Sequence, residues 1–181
     1  MSQDDTPVGL TSWVFFAAGA KPTSMRRALA VRLAEVEPVV IVGQPISLLR
    51  ERRLPTLGER IMSLGGKHAW LYQPLHFPEL VPLAGYLSRT LNRSSLKAEL
   101  DQLLPRGVRR IVCYDSPTQH HLAGRLGEQL SIYLAVDDRT FTVRGQPIAG
   151  ELAAEMRLLQ KVDQVVCGES WTAPNGRSAR R

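Results

Sequence analysis

Three short segments hold the residues best equipped for chemistry. The first is Asp115-Ser116-Pro117-Thr118-Gln119-His120-His121. Ser116 and Gln119 have the spacing of a capping box and Pro117 suits a first helical turn, so a helix should begin here. Backbone N–H groups at such a start stabilise an anionic oxygen. One turn in, His120 or His121 is able to transfer a proton or donate to a hydroxyl near neutral pH. The competing reading is a well-capped structural helix with two surface histidines.

The second segment is Asp137-Asp138-Arg139. Ionised carboxylates accept several hydrogen bonds, as sugar hydroxyls require, but neighbouring side chains diverge and make no general acid/base pair. Turn-forming aspartates are the alternative. The third is the Gly19–Ser24 loop, whose Lys21 either reaches an anion in the cleft or stays in solvent. It lacks G-x-G-x-x-G and the P-loop pattern, so a nicotinamide or ATP site is unsupported. The sequence shows no Ser/His/Asp triad, zinc spacing or EF-hand loop.

Positioning these segments requires a frame, and hydrophobic periodicity supplies one. Six short apolar runs read as buried strands: Ser12–Ala18, Val39–Val42, Ala69–Leu75, Arg110–Tyr114, Leu130–Val136 and Gln164–Cys167. Helical spacing falls between them. Met25, Leu29, Leu33 and Val36 mark one helix, capped by Thr23 or Ser24 and ended by Pro38. Val81–Leu91 suggests another, and Leu96, Leu100, Leu103 and Leu104 a separate one ended by Pro105 and Gly107. Leu122 and Leu126 are expected in the helix after Ser116, and Leu152, Met156 and Leu159 in the next. Residues 44–67, rich in Pro and Gly, read as a long loop or short helices.

Strands alternating with helices predict an α/β domain with a Rossmann-like, doubly wound, mostly parallel sheet of about six strands. It spans residues 12–167, with residues 1–11 and 168–181 expected as disordered tails. Ligands of such sheets bind beyond the carboxyl ends of the strands. That selects Gly19–Ser24, Leu75–Glu79, Asp115–His121 and Asp137–Thr140.

Composition narrows the partners. At 181 residues the chain has the length of one domain and enough core to need no disulfide or metal. Arg177, Arg180 and Arg181 supply three units of the formal net charge of +6. Scattered aromatics at 6% argue against a nucleic-acid partner. Arg50-Glu51-Arg52-Arg53 reads as a solvated face or a membrane-surface contact. Cys113 and Cys167 read as small core residues of a reducing compartment. Asp4 and Asp5 do not suit a signal peptide, and no apolar run approaches membrane-spanning length.

Four segments resemble the N-terminal, acceptor-side domain of GT-B glycosyltransferases, the broad retaining group that builds bacterial surface polysaccharides. They are Trp13 with Lys21-Pro-Thr-Ser-Met-Arg-Arg-Ala-Leu-Ala, Val39-Val-Ile-Val-Gly-Gln-Pro-Ile-Ser-Leu-Leu and Ile111-Val-Cys-Tyr-Asp-Ser-Pro-Thr-Gln. The last is Tyr133-Leu-Ala-Val-Asp-Asp joined through Glu151 to Leu158-Leu-Gln-Lys-Val-Asp-Gln-Val-Val.

The resemblance implies transfer of a sugar from a nucleotide-sugar donor to a polysaccharide, glycolipid or other lipid-linked acceptor, with no cofactor or metal. It makes His120 and Asp115 the candidate catalytic residues. Gly19, Lys21, Thr23, Ser116, Pro117, Asp137, Asp138 and Arg139 become the substrate-binding candidates. A second domain, gripping the donor, has no counterpart after Cys167. The Arg-rich tail has the look of a frame change or a cut chain, so activity of this chain alone is not expected. Its location would be cytoplasmic, or peripheral at the inner face of the membrane, and a separate donor-domain chain is a conceivable partner. Two other readings compete: a non-catalytic binding or interaction module, and a small doubly wound enzyme acting on a sugar or nucleotide.

Overall fold

A computed structural model describes residues 11–17, 25–47, 53–64, 68–76, 82–135 and 148–167. Strands β1 (Thr11–Phe16), β2 (Val39–Val42), β3 (Ile46–Ser47), β4 (Ile61–Ser63), β5 (Ala69–Tyr72), β6 (Leu75–His76), β7 (Arg109–Tyr114), β8 (Leu130–Ala135) and β9 (Gln164–Cys167) alternate with helices α1 (Met25–Leu33), α2 (Pro82–Leu103) and α3 (Ala149–Leu159). The main sheet has seven strands in the order β4-β5-β2-β1-β7-β8-β9.

All six expected strands are present. They pair in parallel, and numbered by their order along the chain they lie 3-2-1-4-5-6. This is the order of a Rossmann-like doubly wound fold. The seventh strand, β4, was not expected: it pairs antiparallel with β5 and closes that edge with three residues. A short edge strand limits the unpaired backbone offered to other chains. β3 and β6 form a separate parallel pair just past the ends of β2 and β5.

Side chains alternate across the sheet, so each strand feeds two cores. Phe15, Ile41, Ile111, Cys113, Ile132 and Leu134 pack on one face with Ala30 of α1 and Ala34 just past its end. Val14, Phe16, Val40, Val42, Val112, Tyr114 and Tyr133 pack on the other. There they meet Leu96 and Leu100 of α2, Leu158 of α3, and Leu122, Ala123 and Leu126 from between β7 and β8. Central strands buried on both faces must be apolar throughout, hence the unbroken Val39-Val-Ile-Val run.

Four expectations need correcting. Of the expected apolar stripe Leu33 packs against the core beside buried Ala30 of α1 and Ala34 just past its end, whereas Leu29 and Val36 are 45% and 71% exposed. Small side chains let the helix lie close on the sheet, and this outweighs the larger apolar residues beside them. The two helices expected between residues 81 and 104 are one, α2, unbroken across polar Asn92-Arg93-Ser94-Ser95. The segment after Ser116 is a 3₁₀ turn, Pro117–His121, not a longer α-helix. Gly124 and Gly127, at φ +77° and +76°, turn the chain before β8, which leaves no room for regular helix. Finally, Cys113 is buried but Cys167, on edge strand β9, is only partly so.

Polar locks fix the frame. Arg60 Nη1 and Nη2 donate to the Glu99 carboxylate at 2.9 and 2.8 Å, tying the 3₁₀ turn that leads into β4 to α2. Arg110 joins the end of α2 at Asp101, 2.8 Å away, to the carbonyl of Leu126. The Asp163 carboxylate accepts the Ser131 N–H and Oγ–H at 2.8 and 2.6 Å, fixing the entry to β9. Those hydrogen bonds hold the Asp163 carboxyl below its ordinary pKa. Among the described residues no helix is long and apolar enough to cross a membrane.

Candidate functional site

Strand order reverses between β1 and β7, so the crevice of a doubly wound sheet opens beyond Phe16 and Tyr114. Their rings stack there, centroids 5.5 Å apart. The chain leaving β7 enters the Asp115–His121 segment at this switch point.

Gln119 organises that segment. Its Oε1 accepts the N–H of Asp115 at 3.0 Å and of Ser116 at 3.2 Å, which supplies the reciprocal arm of the expected capping box. Its Nε2 donates to Asp115 Oδ1 at 2.9 Å. Asp115 is 2% exposed and Pro117 and Gln119 are buried, while Ser116 Oγ lies 2.9 Å from Thr118 Oγ1 near the surface. Asp115 thus shapes the turn from within rather than opening onto solvent.

Each histidine is held through its Nδ1 by a carbonyl of its own turn. His120 Nδ1 lies 3.2 Å from the Pro117 carbonyl oxygen, and His121 Nδ1 lies 2.8 Å from that of Thr118. A carbonyl only accepts, so both Nδ1 atoms carry the proton, and Nε2 is the atom through which His120 would meet a ligand. The rings stand edge to face, centroids 5.9 Å apart.

Both rings line a cavity of about 350 Å³ between α2, the 3₁₀ turn and α3. Arg93 of α2, Arg125, and Arg157 and Lys161 at the end of α3 complete most of its wall. Lys161 Nζ donates to the His120 carbonyl at 2.9 Å. A larger cavity of about 770 Å³ sits at the opposite rim, where α2 ends and β7 begins, against Asp101, Arg106 and Arg109. It is remote from the switch point, and the Asp101 carboxylate there is taken by Lys97 and Arg110.

Of the sequence candidates, Asp115, Ser116, Pro117 and His120 fall together in the turn after β7. Gly19, Lys21, Thr23, Asp137, Asp138 and Arg139 lie outside the described residues, as do Phe77–Glu79, Arg50–Arg52 and residues 1–10 and 168–181, whereas Thr11, expected in the N-terminal tail, opens β1. Arg53 is exposed and pairs with Glu59. Sequence reasoning missed Arg93, Arg125, Arg157 and Lys161. Only the i,i+4 spacing of Arg157 and Lys161 signalled a shared face; their meeting with the other two depends on packing.

Burial pushes the Cys113 thiol up to about 12, and Cys167 is raised by partial burial and the Glu155 carboxylate. Neither sulfur is an activated nucleophile. Among the described residues no group of three or more His, Cys, Asp or Glu could hold a metal ion. The fold and switch-point turn together define a Rossmann-like α/β domain. Comparison with protein-family models, curated proteins and solved structures returns no match.

Proposed function

We propose that this chain is the acceptor-side domain of a GT-B type glycosyltransferase, moving a sugar from a nucleotide-sugar donor to a cell-surface polysaccharide or glycolipid. The observation that carries the reading is the Asp115–Gln119 turn at the switch point of a parallel 3-2-1-4-5-6 sheet. It coincides with the segment Ile111–Gln119 that resembles the family. In this reading the acceptor lies across the carboxyl rim, with Lys21, Thr23, Asp137, Asp138 and Arg139 on its hydroxyls. Asp115 is a positioning residue because its carboxylate is buried against Gln119. His120 is the residue proposed to meet the reacting groups. The departing diphosphate would be stabilised by N–H groups and cations, largely from a donor-side domain.

The test is a titration of the isotope-labelled chain with bacterial surface-polysaccharide oligosaccharides, followed by amide NMR. Binding should perturb the Asp115–His121 turn and the Asp137–Arg139 segment, with no sugar transfer by this chain alone. Absence of oligosaccharide binding at millimolar concentration overturns the reading. Enzyme-like transfer by the isolated chain also does so, because one wall of the cleft would then suffice.

A further inference from the structure

The cavity between α2, the 3₁₀ turn and α3 has an unusual charge balance. Its wall holds the cations Arg93, Arg125, Arg157 and Lys161 together with His120 and His121, and among the described residues no carboxylate lines it. Among the described residues, ion pairs elsewhere join Arg32 to Glu35, Arg53 to Glu59, Arg60 to Glu99, and Lys97 and Arg110 to Asp101. None of those ion pairs involves a cation of this cavity.

Favourable placement at a helix carboxyl end accounts for Arg157, and in part for Lys161 just beyond it. It does not account for Arg93, in the middle of α2, or for Arg125, in a turn. Cations brought together from three elements repel one another unless an anion lies between them. The packing nevertheless holds them in place, with Lys161 on the His120 carbonyl and each imidazole on a carbonyl of its own turn.

We infer that this cavity binds a phosphate group, either of a soluble phosphate ester or of an anionic lipid headgroup. Guanidinium forks match the paired oxygens of phosphate, and charge-assisted hydrogen bonds to it are the strong ones. A site of about 350 Å³ accommodates a diphosphate rather than a whole nucleotide sugar. The inference does not depend on the glycosyltransferase reading, since it concerns the flank of the domain rather than the switch-point crevice and shares only His120 with it.

Inorganic pyrophosphate titrated into the full chain by calorimetry and amide NMR tests it. Resonances of His120, Arg125 and Lys161 should shift, and the Arg125→Gln/Arg157→Gln double variant should weaken binding by about tenfold or more. Both arginines are exposed, so the variant should fold; its circular dichroism provides the check. Arg32→Gln, a distant exposed control, should leave affinity unchanged.

A parallel sedimentation with phosphatidylcholine vesicles, with and without phosphatidylglycerol, separates the two sources. Binding to the anionic vesicles alone, lost in the double variant, assigns the phosphate to a lipid. Binding of pyrophosphate, lost in the same variant, assigns it to a soluble ester. No binding of either probe, or equal weakening by Arg32→Gln, overturns the inference.

Discussion

Removing the Glu99 carboxylate should destabilise the fold by about 3 kcal/mol, the lower end of the ~3–5 kcal/mol typical for orphaning a buried charge. The side chains of Arg60 and Glu99 are 4% and 14% exposed, and two hydrogen bonds join them. In Glu99→Ala the guanidinium keeps the Tyr72 hydroxyl and the Gln73 carbonyl, each 3.3 Å from Nη1, and its place over the Tyr72 ring. Those long contacts and the slight exposure of Glu99 offset part of the loss. Arg60 Nε already lacks a partner, so no spare acceptor is at hand.

For a domain of this size about 3 kcal/mol corresponds to a fall in Tm of roughly 6–12 °C. Urea unfolding followed by circular dichroism and tryptophan fluorescence would measure it, with Trp70 on the neighbouring strand as reporter. Glu99→Gln, which keeps shape and one acceptor oxygen, should lose less. Arg60→Leu/Glu99→Leu should be more stable than Glu99→Ala, because no charge is left buried alone. A Glu99→Ala loss below about 1 kcal/mol would refute the reasoning, since it would mean that water reaches the guanidinium.

Gln119→Ala removes the acceptor of two backbone N–H groups and the donor to Asp115, so it should destabilise by about 2–3 kcal/mol in the same assay. Cys113 should resist thiol reagents in the native state while Cys167 reacts slowly; unfolding should make both reactive. The Cys113 thiol, raised from 9.0 to about 12, favours the fold fully below pH 9; stability should then decline as pH rises towards 12, because the unfolded chain ionises first. Replacing Cys113 by Ala should flatten that decline in an alkaline denaturation series.

The six parallel strands were legible because each holds a short apolar run between turn residues, a pattern that burial on both faces demands of the central ones, while edge strand β9 keeps only Val165-Val166-Cys167, with Val166 half exposed. The single α2 was not. Asn92-Arg93-Ser94-Ser95 interrupts the leucine spacing, yet these residues turn to other tasks, Arg93 to the cavity wall and Ser95 Oγ to Glu99 at 3.3 Å. β4 carries three residues and Met62 is half exposed, so neither length nor hydrophobicity announced a strand. Arg60 stood in the least regular stretch, 39 residues from Glu99, and nothing local marks such a pair. The switch-point turn was readable because Ser116, Pro117 and Gln119 act within one short segment. The basic cavity draws on three segments, and only tertiary packing unites them.

The cavity follows from how the chain crosses from β7 to β8. Parallel neighbours require a crossover, and an α-helix is the usual one. Residues 115–129 contain instead a 3₁₀ turn and two glycines at positive φ. Glu128 closes this compact path: its carboxylate accepts the Tyr114 hydroxyl at 2.7 Å and the N–H groups of Gly124 and Leu126 at 2.6 and 2.8 Å. Leu122, Ala123 and Leu126 thereby fill the core that a helix would have covered. With no α-helix in residues 115–129, His120, His121 and Arg125 of this crossover line a gap together with Arg93 of α2 and Arg157 of α3. The same compression that completes the apolar core on one side of the turn gathers the cations on the other, so a phosphate between α2 and α3 would favour the folded crossover as well as occupy it.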